Sequence, residues 1–197
     1  MYGNFFKRLI DIILSLIGII VTAPIMIVVA ILVFTKLGRP ILFKQERPGL
    51  NGEIFKLYKF RSMKNDKDEN GEFLPNELRL TKFGKLLRST SMDELPELFN
   101  ILKGDMSVIG PRPLLTTYLS LYSEEQKKRH DVRPGLSGIT AVNGRASLSW
   151  EEKLAMDVWY VENVSFTLDI KIILKTILTV LKRKNISSNR GKFKGNK

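Results

Sequence analysis

From Ile12 to Thr35 the sequence runs for 24 residues without a charge, and Pro24 stands at the middle of the run. A helix of that length is roughly 36 Å long at about 1.5 Å per residue, enough to cross a hydrocarbon core of about 30 Å. The proline argues against a simple crossing. Inside a helix it removes one hydrogen bond and crowds the preceding turn, a cost of about 3 kcal/mol, and here it does so where no water can compensate. Both flanks are basic: Lys7 and Arg8 precede the run, and Lys36, Arg39, Lys44 and Arg47 follow it. Positive flanks on both sides give a crossing no orientation, but they suit a segment whose two ends both stay in the cytoplasm. The expectation is therefore a re-entrant helix–break–helix with its membrane break at Pro24; a kinked crossing is the alternative. Thr22 is placed to bond a carbonyl freed at the break. Asp11, at the mouth of the segment, is expected to pair with Lys7 or Arg8 one turn back. The run is too long for a cleaved signal peptide and lacks a small-residue cleavage site.

The remainder reads as a folded, basic domain. A chain of 197 residues suits one compact unit plus an anchor, divided here as an anchor over 1–38, a domain over 39–184 and a flexible basic tail over 185–197. The net charge of +12 favours phosphate-bearing partners. With an apolar anchor present, anionic lipid and a phosphorylated substrate rank above nucleic acid. The absence of cysteine excludes disulfides and thiolate metal sites, and His130 as the sole histidine argues against multi-histidine zinc sites and a Ser-His triad. A metal, if used, should be a hard cation held by oxygen, such as Mg²⁺.

Residues 41–63 have the pattern of a β-hairpin, with turn residues over Arg47–Gly52. Helices are expected over Thr81–Arg88, Ser91–Leu102, Leu114–Arg129 and Trp150–Val161. Leu168–Arg183 is apolar with interspersed lysines, which fits either an amphipathic helix on a membrane surface or a core helix with a basic outer face. The expected fold class is α+β, mostly α: a re-entrant N-terminal segment, a small β-hairpin and amphipathic interfacial helices.

Ser91-Met92-Asp93-Glu94 is the sharpest local feature. Ser91 and Glu94 have capping-box spacing, and acids in a first helical turn are often no more than caps. Their surroundings add weight to a chemical role. Arg88 lies just before them, and Arg112 sits between two prolines in a stiff stretch. Adjacent carboxylates with arginines in rigid loops suit Mg²⁺ and a diphosphate, and an aspartate can attack phosphorus to form an acyl phosphate. Arg133-Pro134-Gly135 and Val142-Asn143-Gly144-Arg145 are turns that either cradle phosphate or merely turn.

Taken in order, Lys7-Arg8-Leu9-Ile10-Asp11, the Pro24-interrupted run, Gln45-Glu46-Arg47-Pro48-Gly49, Phe55 to Met63, Arg88 to Leu98, Gly104 to Pro113 and Arg133-Pro134-Gly135 form a specific set. It resembles the bacterial sugar transferases, the small monotopic phosphoglycosyl transferases, over about residues 4–183. The resemblance implies transfer of a sugar phosphate from a UDP-sugar to polyprenol phosphate, giving a polyprenyl diphosphate sugar and UMP, with Mg²⁺ as cofactor. It implies Asp93 as nucleophile and Glu94 beside it, holding Mg²⁺ or managing a proton, so both are candidate metal ligands. Lys59, Arg88, Arg112 and Arg145 would contact phosphates or nucleotide, and Asp157 and Asp169 stand in motif-like contexts as substrate-binding candidates. It also implies a place at the bacterial inner membrane with the domain on the cytoplasmic face. Ala23 stands where the family often has Ser, and Ile139-Thr140-Ala141 where it often has Trp-Ala-Gln, which bears on sugar preference more than on the reaction. A membrane-tethered binding or scaffold protein without catalysis is the rival reading, and a homodimer is compatible with either.

Overall fold

The structure, a computed structural model, describes residues 2–144, 147–181, 193 and 195. Arg145, the basic run Lys182-Arg183-Lys184 and the tail other than Phe193 and Gly195 lie outside the described residues.

The apolar run folds as one long helix, α1 (Lys7–Leu37), entered through a π-helical turn over Tyr2–Phe6 and closed at Gly38, whose φ is 77°. Pro24 lies inside α1 with helical residues on both sides and no non-helical residue between them. A proline removes one main-chain bond and leaves those before and after it able to form, so it bends a helix more readily than it ends one. Thr22 donates its hydroxyl to the Gly18 carbonyl, 2.7 Å away, one turn back. One stripe of the helix is buried through Asp11, Ser15, Met26, Val29 and Val33, while Ile13, Ile17, Ile20, Val21, Ile27 and Ile31 are exposed on the other side. The spacing of three and four residues along the buried stripe is that of a helix with one face against a protein core.

Polar bonds fasten α1 at both ends. Asp11 does not pair with Lys7 or Arg8 as expected: its Oδ1 accepts from the Ser107 hydroxyl at 2.9 Å and the Val108 N–H at 2.8 Å. Lys7 instead meets Asp169 at 2.5 Å, and Arg8 donates to the carbonyls of Ile101 and Leu102. Partners from distant segments outcompete the neighbour one turn away because the helix end is packed against the domain, out of water. At the far end Arg61 donates to the carbonyls of Leu37, Gly38 and Arg39, satisfying groups that a helix terminus leaves open.

The hairpin forms as expected. Strands β1 (Leu42–Pro48) and β2 (Ile54–Phe60) pair antiparallel, Leu42 opposite Phe60 and Pro48 opposite Ile54. Two short helices follow, α2 (Asn76–Arg79) and α3 (Lys82–Ser89), and the Thr81 side chain caps α3 by accepting from the Gly84 N–H.

The continuous helix expected from Ser91 is not there. Ser91 takes left-handed torsions (φ 55°) and caps nothing with its side chain; a 3₁₀ turn covers Met92–Glu94, and α4 (Glu97–Lys103) starts after Pro96. The reason is Pro96, which has no N–H for a bond one turn back, so the chain closes a tight turn and restarts. The Asn100 amide, fully buried, pins α4 to β2: it accepts from the Tyr58 N–H and donates to the Lys56 carbonyl and Asp105.

A second, parallel pair was not expected: β3 (Ser107–Ile109) with β4 (Gly135–Ser137). Between them the helix expected over Leu114–Arg129 is broken into a 3₁₀ stretch (Thr116–Leu121), the short α5 (Glu124–Lys127) and another 3₁₀ turn (Lys128–His130). Ser123 and Gln126 make a capping box there, so helix signals restart midway through the segment. The chain ends its described course in α6 (Ile139–Val142), α7 (Trp150–Glu162) and α8 (Phe166–Leu181). On α8, Asp169 and Ile172 are buried while Ile170, Leu174, Ile177 and Leu178 are exposed. Phe193, from the tail, is buried among Tyr118, Tyr122 and Trp150.

Candidate active site

The site is assembled from short segments that the core holds together. β2 contributes Lys59; α3 contributes Arg88, whose Nε donates to the Ser62 hydroxyl at 2.9 Å. The 3₁₀ turn contributes Asp93 and Glu94, the first turn of α4 contributes Glu97, and the stretch after β3 contributes Arg112.

Glu94 is the hub. Its Oε1 accepts from Lys59 Nζ at 2.8 Å and from Arg112 Nη2 at 2.5 Å. Lys59 Nζ also stands 2.9 Å from Glu97 Oε1. Burial pushes the Glu94 carboxyl up, but Arg112 and Lys59 outweigh burial and hold it well below the usual carboxylate range. Glu97 goes the other way: burial and the charge of Glu94 raise it, against the pull of Lys59. Asp93 is buried, and this loss of water, aided by the neighbouring Glu94 charge, raises its pKa to about 6 against the opposing effect of Lys59 and Arg88. The site therefore holds carboxylates with separated proton affinities, an arrangement typical of functional centres.

Behind the site lies a buried support that the sequence did not reveal. Arg129 donates to Asp157 Oδ2 through Nη2 at 2.7 Å and Nε at 3.2 Å, and its Nη2 also reaches the main-chain carbonyl of Arg112 at 2.8 Å. The pair is fully desolvated, with side chains 1% and 5% exposed. It fixes the backbone from which Arg112 projects. Arg129 falls in the segment whose pattern predicts one helix, and nothing in that pattern marks a long-range contact.

The structure thus brings together Lys59, Arg88, Asp93, Glu94 and Arg112, and adds Glu97. Asp157 is buried under Arg129. Asp169 is buried among Lys7, Tyr2 and Tyr160, accepting from all three, at 2.5, 2.8 and 2.6 Å. Arg145 lies outside the described residues. Among the described residues no group of three or more acidic or histidine side chains is arranged to hold a metal ion by itself. Mg²⁺ needs only one or two protein carboxylates where substrate phosphates and water supply the other ligands, and Asp93 with Glu94 meets that requirement.

An adjacent carboxylate pair ringed by cations lies in a fold that also leaves an apolar helix face exposed, an arrangement suited to an enzyme working on charged groups. Sequence comparison gives the family. The family described as bacterial sugar transferase matches residues 2–183, and the chain belongs to it, which makes it a transferase. An uncharacterized sugar transferase, EpsL, of Bacillus subtilis is 51% identical over 175 residues, covering 89% of this chain and 87% of that protein. The undecaprenyl-phosphate galactose phosphotransferase of Salmonella typhimurium is 37% identical across 92% of this chain and 41% of its own length. The UDP-glucose:undecaprenyl-phosphate glucose-1-phosphate transferase of Klebsiella pneumoniae is 41% identical across 87% and 39%. The chain thus spans about two fifths of those longer relatives.

Proposed function

We propose that this protein moves a sugar 1-phosphate from a UDP-sugar to undecaprenyl phosphate or a similar polyprenol phosphate, and that Asp93 carries the sugar phosphate between them. A carboxylate oxygen of Asp93 attacks the sugar-linked phosphorus; the bond from that phosphorus to the bridging oxygen breaks, and UMP leaves with that oxygen. A phosphate oxygen of the lipid then attacks the same phosphorus, the acyl phosphate bond to Asp93 breaks, and the carboxylate is restored. The observation that carries this reading is the buried Asp93 in its tight turn, next to a carboxylate kept ionised by Lys59 and Arg112. Cations fixed in advance around a diphosphate stabilise charge as it shifts to the leaving group. Lys59, Arg88 and Arg112 would hold the phosphates, and Mg²⁺ held by Asp93 and Glu94 would supply further neutralisation. The substrates in these relatives' names, undecaprenyl phosphate with galactose or glucose, support the reaction class.

The membrane arrangement follows the same reading. α1 is tied to the polar domain at both ends, through Asp11 and Arg8 near its start and through Arg61 at its finish. A helix fastened at both termini to one water-facing unit keeps both ends on one side of the bilayer, so α1 dips into it along its exposed apolar face and does not cross. The exposed apolar side of α8 lies at the interface beside it, and the domain faces the cytoplasm, where UDP-sugars are made.

Purified protein given UDP-sugars and polyprenol phosphate is expected to release UMP, and Asp93→Asn to abolish release. Donor labelled in the sugar phosphate should become covalently attached to Asp93 when the lipid is omitted. Active protein that never carries the label would sink the covalent route, and a panel of UDP-sugars identifies the donor.

A further inference from the structure

We propose that the cleft between α4, α6 and α8 holds the first isoprene units of the lipid acceptor, with the acceptor's phosphate at the Glu94–Arg112 end. The inference rests on the transferase reading above and assigns a place to one of its substrates. The cleft has a volume of about 260 Å³ and is walled by Leu98, Ile109, Leu136, Val142, Ile173 and Ile177. Ser91, Glu94 and Arg112 form its polar end. Arg112 lines that end and remains 36% exposed at the side chain while bonded to Glu94.

The hydroxyls along the wall are already engaged. Ser137 and Thr176 bond each other at 2.7 Å, Thr176 also donates to the Ile172 carbonyl, and Thr179 donates to the Lys175 carbonyl. A nucleobase or a sugar entering there would lose its water contacts without replacement. A branched hydrocarbon chain loses nothing of the kind and gains apolar burial. The geometry also gives the chain a way in. Ile177 both lines the cleft and is 51% exposed, on the same side of α8 as Leu174 and Leu178. The cleft therefore opens along α8 onto an apolar exposed surface, so the isoprene chain can lie in it and run out into the bilayer while the phosphate stays at the polar end, towards Asp93.

The test uses the full chain in detergent or nanodiscs. Ile177→Asp makes the open end polar at an exposed position, and Ala141→Leu fills the wall near Val142. Both are expected to raise KM for undecaprenyl phosphate by about tenfold, the loss that follows when one or two methylene contacts are removed. Donor KM and donor labelling of Asp93 should stay at the parent level. A prenyl phosphate carrying a diazirine on its first isoprene unit should cross-link between Ile173 and Val180, and excess undecaprenyl phosphate should prevent it. Unchanged acceptor KM in both variants, or cross-links confined to the outer face of α1, overturns the proposal. Protection of the cross-link by UMP overturns it as well, because the occupant is then the nucleotide. Cross-linking needs no turnover, so a chain that labels in the cleft yet makes no lipid-linked sugar refutes the reaction and leaves the lipid site standing.

Discussion

Ser91 adopts φ 55°, a left-handed turn that a side chain seldom takes, and it is the bend that turns the chain from α3 into the segment bearing Asp93. Strain of this kind costs on the order of 1–3 kcal/mol and persists where the surroundings enforce it. Ser91→Gly should therefore match or exceed the parent in thermal stability, whereas Ser91→Val should lower the melting temperature. None of this was visible in the sequence. Serine three residues before glutamate is also the spelling of a helix cap, and only Pro96, acting against the helix, decides between the two. The identity of Asp93 and Glu94 as a pair of interest was legible, as were Arg88 and Arg112 near them. Glu97 was not singled out, because its proximity to Lys59 exists only once β2 and α4 meet. The pH profile belongs to this scale too. The upward shift of Asp93 to about 6 means that it gains its proton at a higher pH than an ordinary aspartate. In the metal-free protein the Asp93 carboxyl should titrate near 6, as followed by carboxyl NMR, and a midpoint near pH 4 would remove the role assigned to burial.

Among elements, the break expected at Pro24 is absent from the continuous α1, whereas the hairpin and the helical character of α1, α7 and α8 were readable. The parallel β3–β4 pair was not, since three residues per strand are too few to show a period. The close approach there is enforced by glycine: a Cβ on Gly135 would stand 2.1 Å from the Gly110 nitrogen. The capture of Asp11 by β3 was equally hidden, because a carboxylate next to Lys7 and Arg8 offers a nearer answer. Asp11→Ala removes the acceptor for a buried hydroxyl and a main-chain N–H. It should destabilise the protein by about 1–3 kcal/mol, the cost of leaving buried polar groups unpaired. Asp11→Asn, which keeps a carbonyl oxygen, should lose less. Thermal unfolding in a single detergent compares the three, and equal melting temperatures would show that the bonds do not hold α1.

For the whole molecule, the charge of +12 pointed to phosphates, and the apolar run pointed to lipid. Where the two meet was set by tertiary contacts that no local pattern encodes. The described residues place the cation cluster beside α4 while α1 and α8 leave apolar faces outward. Because the chain has no native cysteine, its topology can be read cleanly. Phe5→Cys and Lys44→Cys, on either side of α1, should both react with a membrane-impermeant maleimide in inverted vesicles. Reaction of only one of them would mean a crossing.

The double fastening of α1 also separates its two faces in a way that protein engineering can exploit. The helix is a wall of the enzyme as much as an anchor, so exchanging it for a generic hydrophobic leader should ruin the fold even if the leader inserts well. Repainting only the outward stripe of Ile13, Ile17, Ile20, Ile27 and Ile31 with glutamate and lysine leaves every inward contact in place. Such a variant should stay folded in plain buffer and still accept a water-soluble analogue of its lipid.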